Sequence, residues 1–156
     1  MIHPTAIIGK NVKLDFGVEI GPYSFIDGNV TIGKNTKIHA SVSIVGNTTI
    51  GENNIFFSFC SIGSIPQDLK YHGEETFLKI GDSNTFREHC TINTGTEGGG
   101  FNTIIGNGSL FMTGAHVAHD CIVGNDIIMA NQATLGGHVV IENNAVIGGL
   151  SAIHQF

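Results

Sequence analysis

Eight histidines are many for a chain of 156 residues, and four of them stand in short motifs in its last third. His116 and His119 occur in GAHVAHDC, His138 in LGGHVV and His154 in SAIHQF. His3, His39, His72 and His89 are scattered and read as surface or turn residues. An imidazole with its ordinary pKa of about 6.5 is available as a base near neutrality. His119 is therefore a candidate general base for a hydroxyl, which is a poor nucleophile until its proton is removed. Asp120 follows His119 directly. Adjacent side chains diverge on a strand, but a turn relaxes that restriction. Asp120 is thus free to orient a histidine or to reach a substrate hydroxyl, and spacing alone does not choose. Gly136-Gly137 precedes His138, where a backbone N–H could stabilise an acyl-transfer oxyanion; a plain turn glycine is the simpler alternative.

These motifs sit in a chain with a six-residue period. Steps of six from Ile2 meet Ile8, Leu14, Ile20, Ile26, Ile32, Ile38, Ile44, Ile50, Phe56 and Ile62. The phase holds at Ile80, Phe86 and Ile92 and then slips by one residue. It runs again from Ile105 through Phe111, Val117, Val123, Met129, Leu135, Ile141 and Ile147 to Ile153. Neither a helical nor a simple strand period produces this pattern. Four residues after each large side chain comes a small or β-branched one, as at Val18, Ser24, Val30 and Thr36. Cys60, Cys90 and Cys121 share that offset and read as small core residues. Glycine often follows the large residue and asparagine comes soon after, both suited to sharp corners. One short strand and one turn fill six residues, and three such units close a triangular coil. Coils stack at roughly 4.8 Å, the strand spacing. The expected fold is an all-β parallel solenoid, one domain over residues 1–156, with no helix longer than two turns.

The repeat also places the histidines. Val117, Leu135 and Ile153 recur every 18 residues and stack in one column. His119, His138 and His154 follow them by two, three and one residues, so all three are expected along one face or its edge on consecutive coils. A flat solenoid face gives a base no walls, and a neighbouring subunit is expected to supply them. Two interruptions mark projecting loops, at about 64–76 and 94–103. Asp68 and Glu74 fall in the first where the phase calls for apolar residues, and the second holds TGTEGGG. The last hexad starts at Ile153, so the open end of the solenoid is expected to be covered by another subunit or a further domain.

Charge narrows the classes. Charged residues are 13% of the chain and the formal net charge is −6. All seven basic residues lie at or before Arg87. Nucleic-acid binding needs clustered positive charge, so no nucleic-acid partner is expected. No signal-peptide pattern and no apolar run of about 18 residues is present, so no stable membrane insertion is expected and the cytoplasm is the default compartment. Three widely spaced cysteines make neither a disulfide framework nor a CxxC metal knuckle. No GxGxxG or GxxxxGK[ST] segment stands between a strand and a helix. These motifs call for no metal and no cofactor.

Taken together, SIGSIPQDLKYHGEET, REHCTINTGT, GAHVAHDC, NQATLGGHV and SAIHQF carry a closer match. In this order and spacing, the chain resembles the acyl-carrier-protein–UDP-N-acetylglucosamine O-acyltransferases of lipid A synthesis, within the hexapeptide-repeat superfamily. The resemblance implies a left-handed coil, a homotrimer and active sites between subunits. It implies transfer of a 3-hydroxyacyl chain from acyl carrier protein to the 3-hydroxyl of UDP-N-acetylglucosamine. By the same resemblance His119 is the general base, Asp120 an acidic neighbour that contacts the sugar, and Gly137 the oxyanion donor. Asp68, Lys70, Asn93, His116, His138, His154 and Gln155 match substrate-site positions. Some members carry histidine where this chain has Asn93, and arginine is common where it has Thr94. Members usually continue into more coils and a C-terminal helical domain. Three alternatives stay open: an N-acyltransferase acting on a UDP-amino sugar, a metal-dependent hydratase using His116, His119 and His138 as zinc ligands, and a solenoid without catalytic activity.

Overall fold

The computed structural model describes all 156 residues. Twenty-two short strands, most of two residues, build three sheets in which every pairing is parallel. Face 1 has eight strands and begins with Ile7–Ile8. Faces 2 and 3 have seven each and begin with Lys13–Leu14 and Glu19–Ile20. The chain visits the faces in strict rotation, forming a left-handed parallel β-helix. The one helical turn is a 3-10 segment, Glu97–Gly99. No helix is long and apolar enough to cross a membrane.

The hexad pattern produces this fold because each large residue points into the prism and meets its counterpart one coil away. Ile26, Ile44, Ile62 and Ile92 line face 1 from inside, and all are 1% exposed or less. Phe56, Phe86 and Phe111 stack face to face inside face 3 with ring centroids 4.7 Å apart. Such pairs add about 0.5–1.5 kcal/mol each beyond area burial. Cys60, Cys90 and Cys121 are buried, separate thiols, as the offset predicts. Their sulfurs lie 3.0, 3.3 and 3.1 Å from the carbonyls of Arg87, Met112 and Gly136. Burial pushes the Cys121 thiol up to about 11.

The corners correct one expectation. The glycines that follow the large residues, such as Gly33, Gly51, Gly81 and Gly106, do not take left-handed backbone. Each is glycine because a Cβ would strike the backbone of the neighbouring coil. The left-handed positions come later in each corner and include Asn35, Asn53, Asp120 and His138. Asparagine side chains then tie the coils together: Asn107 Oδ1 accepts the Asp82 N–H at 2.7 Å, and Asn125 Oδ1 accepts the Asn107 N–H at 2.8 Å.

The interruptions are insertions at a single corner. Ile62 and Ile80 sit on adjacent faces of one coil, so the 18 residues between them are not a full coil. They comprise one hexad plus an insertion of twelve, lying between the strands Ser61–Ser64 and Phe77–Ile80. Ile92 to Ile105 is likewise one hexad plus seven residues, placed between Thr91–Asn93 and Asn102–Ile105. The irregular segments are thus 65–76 and 94–101, slightly shorter than the spacing suggests. Both leave the corner between faces 1 and 2, on successive coils.

Candidate active site

His119 and Asp120 occupy that same corner one coil further on, between His116–Val117 and Ile122–Val123. Gly137 and His138 occupy it on the coil after, between Thr134–Leu135 and Val140–Ile141. Four consecutive coils therefore contribute to one edge of the prism, and the two insertions overhang the histidines. Asp120 has φ +60° and His138 φ +63°. The sharp turn at Asp120 lets its side chain double back onto its neighbour. His119 Nδ1 lies 2.7 Å from Asp120 Oδ2. The Asp120 carboxylate also accepts the Thr96 N–H at 2.7 Å on Oδ1 and the Thr96 hydroxyl on Oδ2. A carboxylate only accepts hydrogen bonds, so His119 carries its proton on Nδ1 and presents Nε2 as the acceptor. Asp68 Oδ2 lies 3.8 Å from that Nε2.

The carboxylate side chain of Asp120 is wholly buried. Its geometry is that of an orienting group for His119, and both oxygens are occupied within the chain. The sugar contact implied by the resemblance is not open to it in this arrangement. Gly137 lies against the His119 ring one coil on, and a Cβ there would overlap the imidazole. Its N–H donates to no acceptor in the chain. His138 meets His119 edge to face, with ring centroids 5.1 Å apart, and its backbone N–H donates to the His119 carbonyl at 3.0 Å. The three histidines are not one column. His138 stacks on Asp120, while His119 stacks under Gly137, and His154 stacks on Gly136. His154 is exposed, with Nδ1 3.2 Å from the Gln155 carbonyl. Gln155 rests against Gly136, and its Oε1 is buried without a partner.

The first insertion supplies Asp68 and Lys70. The Lys70 N–H donates to Asp68 Oδ1 at 2.9 Å. That bond, and then the charges of His119 and Lys70, hold the Asp68 carboxyl below the usual carboxylate range. A cleft of about 590 Å3 opens between the insertions and the histidine edge, lined by Asp68, Lys70, Glu74, Thr96, His138 and Phe156 among others. Asn93 lies outside it, 4% exposed, donating to the Ile65 carbonyl at 3.0 Å at the base of the first insertion. Its Oδ1 is buried without a partner. Thr96, Thr103 and Gly99 were not legible as site residues, although TGTEGGG marks their segment as irregular. Gly99 is required because a Cβ there would overlap the Asp120 carboxyl.

His116 lies on the outer side of face 1 with Nδ1 2.7 Å from Thr91 Oγ1. Burial lowers its pKa below the ordinary histidine value, against a smaller raising effect of Thr91. The unfolded chain then takes up the proton more readily, so stability is complete above about pH 6.5 and declines as pH falls below it. His116→Gln should therefore lose less melting temperature than the parent between about pH 7.5 and pH 5.5. Parallel curves for the two proteins would remove this role. The group whose ligand atoms lie within 4.8 Å of one another is His119, Asp120 and His138, without His116. The three-imidazole zinc set of a hydratase is therefore not the cluster that forms.

Comparison with known proteins agrees with this fold. Residues 102–137 match the bacterial transferase hexapeptide family (six repeats). An acyl-[acyl-carrier-protein]–UDP-N-acetylglucosamine O-acyltransferase from Anaeromyxobacter dehalogenans is 53% identical over 99% of this chain. The crystal structure of UDP-N-acetylglucosamine O-acyltransferase from Moraxella catarrhalis superimposes with a TM-score of 0.97 at 49% identity, over 99% of this chain and 60% of that one. The UDP-N-acetylglucosamine acyltransferase from Campylobacter jejuni gives 0.96 at 42% identity, over 100% of this chain and 61% of that one. The chain spans about 60% of the length of the curated relatives it matches. On sequence and fold, the chain is homologous over nearly its whole length to the acyl-carrier-protein–UDP-N-acetylglucosamine O-acyltransferases.

Proposed function

We propose that this protein transfers a 3-hydroxyacyl chain from acyl carrier protein to the 3-hydroxyl of UDP-N-acetylglucosamine. The observation that carries this reading is the His119–Asp120 pair, with Nδ1 tied to a buried carboxylate and Nε2 left as an acceptor. In the proposed step His119 Nε2 removes the sugar hydroxyl proton as that oxygen attacks the thioester carbonyl. The carbonyl oxygen gains negative charge, which the unpartnered Gly137 N–H stabilises. The C–S bond then breaks, and the leaving thiolate takes the proton from His119. Asp68 sits close to Nε2 and positions the hydroxyl, while Lys70 offers the diphosphate a positive charge. His138, His154 and Gln155 extend the acceptor site along the prism edge. Asn93 and His116 support it from the base of the insertion and from face 1. An edge open to solvent needs a neighbouring subunit to exclude water, which fits the homotrimer that the family resemblance implies, and the cytoplasm is the compartment of this reading.

The same base would serve an amine, so substrate choice is decided by assay. The full-length protein should convert UDP-N-acetylglucosamine with a 3-hydroxyacyl carrier protein, and the product mass should gain one acyl group. Turnover confined to the 3-amino sugar would replace this reading by N-acylation. No transfer to either sugar by a trimeric, folded protein would end it.

A further inference from the structure

We propose that Thr96 is a positioning residue that commits Asp120 to His119 and so decides which of two neighbouring imidazoles serves as the base. This rests on the acyl-transfer reading above. Two imidazoles compete for one carboxylate oxygen: Asp120 Oδ2 is 2.7 Å from His119 Nδ1 and 3.8 Å from His138 Nε2. A modest rotation of the carboxylate would exchange one for the other. Both rings are close enough to the cleft for the exchange to matter, since His138 lines it and His119 faces Asp68.

Thr96 resists that rotation from two sides. Its N–H donates to Oδ1 at 2.7 Å, and its hydroxyl donates to Oδ2, the oxygen that holds His119. The carboxylate plane is thus set by two donors of one residue. Thr96 is itself fixed, at 5% exposure, and its carbonyl accepts the Gly99 and Phe101 N–H groups at 3.2 and 2.7 Å. The Asp120 backbone is held too, because its N–H donates to Thr103 Oγ1 at 2.9 Å. Gly99 completes the seat by leaving room for the carboxyl. The seven-residue insertion therefore does more than overhang the cleft. It carries the clamp for the acid of the dyad, and Thr103, the other anchor, lies in the strand Asn102–Ile105 just after it.

Thr96→Val removes the hydroxyl and keeps the branched shape and the N–H. Hydrogen bonds to charged groups are worth enough that kcat should fall about 10- to 100-fold, with the acceptor KM unchanged. Thr96→Ser should restore most of the rate, because it returns the hydroxyl. Thr96→Val should add little further loss in the Asp120→Asn background, since Thr96 acts only through that carboxylate. A second readout does not depend on turnover. Imidazole 15N NMR of the full-length protein, assigned with His119→Gln, should show one fixed His119 tautomer protonated at Nδ1 in the parent and in Thr96→Ser. Thr96→Val should show mixed tautomers or a perturbed His138. If Thr96→Val keeps the parent tautomer, or if valine and serine variants lose rate equally through a raised KM, Thr96 is only structural and the proposal fails. A parent that shows the fixed tautomer but transfers no acyl group would overturn the proposed reaction and leave the clamp standing.

Discussion

His119→Ala should slow single-turnover acyl transfer by about 10²–10⁴-fold, the usual worth of a positioned general base. UDP-sugar affinity should change much less, because Asp68, Lys70, His138 and Gln155 are spread over the cleft and the adjoining edge and remain in place. The variant should fold, since His119 lies in a corner and the apolar column of Val117 and Leu135 is untouched. His138→Ala should cost less, because its ring lies 3.8 Å from the Asp120 oxygen that already holds His119. Two measurements separate the roles: acyl transfer in a single turnover, and equilibrium binding of the UDP-sugar. A parental rate in His119→Ala would remove it from the chemistry. A rate that falls only as far as affinity does would make His119 a binding group and move the base to His138.

The second large effect is expected from a single methyl group. Gly137→Ala should lower the rate by about 10²-fold, the scale of a small misplacement of reacting groups. Gly137 has ordinary backbone, so alanine meets no strain of its own. The added Cβ lands instead on the His119 imidazole and pushes the ring off Asp120. The N–H remains, so a loss of rate reports the displaced base rather than a missing oxyanion donor. A double variant checks this assignment. In His119→Ala the methyl has no ring to displace, so adding Gly137→Ala should cost little more. Losses that multiply would show that Gly137 acts on its own, and a parental rate in Gly137→Ala would show that the corner absorbs the methyl.

Much of this protein is legible without coordinates. The large residue every six positions and the small one four later suit a stack of three-sided coils, in which both sets point into the prism. The three cysteines take their buried places from that offset alone. His119, His138 and the two insertions are each visible as departures from a regular pattern. The order of the faces also follows from the period, once the insertions are recognised as one hexad plus twelve and one hexad plus seven. Read without that subtraction, Ile62 and Ile80 look like partners one coil apart, when in fact they lie on adjacent faces.

What the period cannot carry is the direction of a side chain at a corner. Hexad arithmetic sets His119, His138 and His154 near one another, yet a shift of one residue at a bend turns a side chain to another side. Hence His138 comes over Asp120 and touches His119, whereas His154 faces out beside Gly136. The burial of Asp120 is likewise invisible in sequence, because its donors come from Thr96, 24 residues earlier, in a segment with no repeat to give it a register. The recurring glycines also mean something different in three dimensions: most answer to the backbone of the next coil, and Gly99 and Gly137 to Asp120 and His119. The sequence by itself determined the β-helix, the core column and the corner where chemistry would gather, since these depend on spacing along a regular coil. Only the tertiary structure decided which imidazole Asp120 holds and what holds Asp120, since those contacts join irregular segments whose conformations are set by packing across coils.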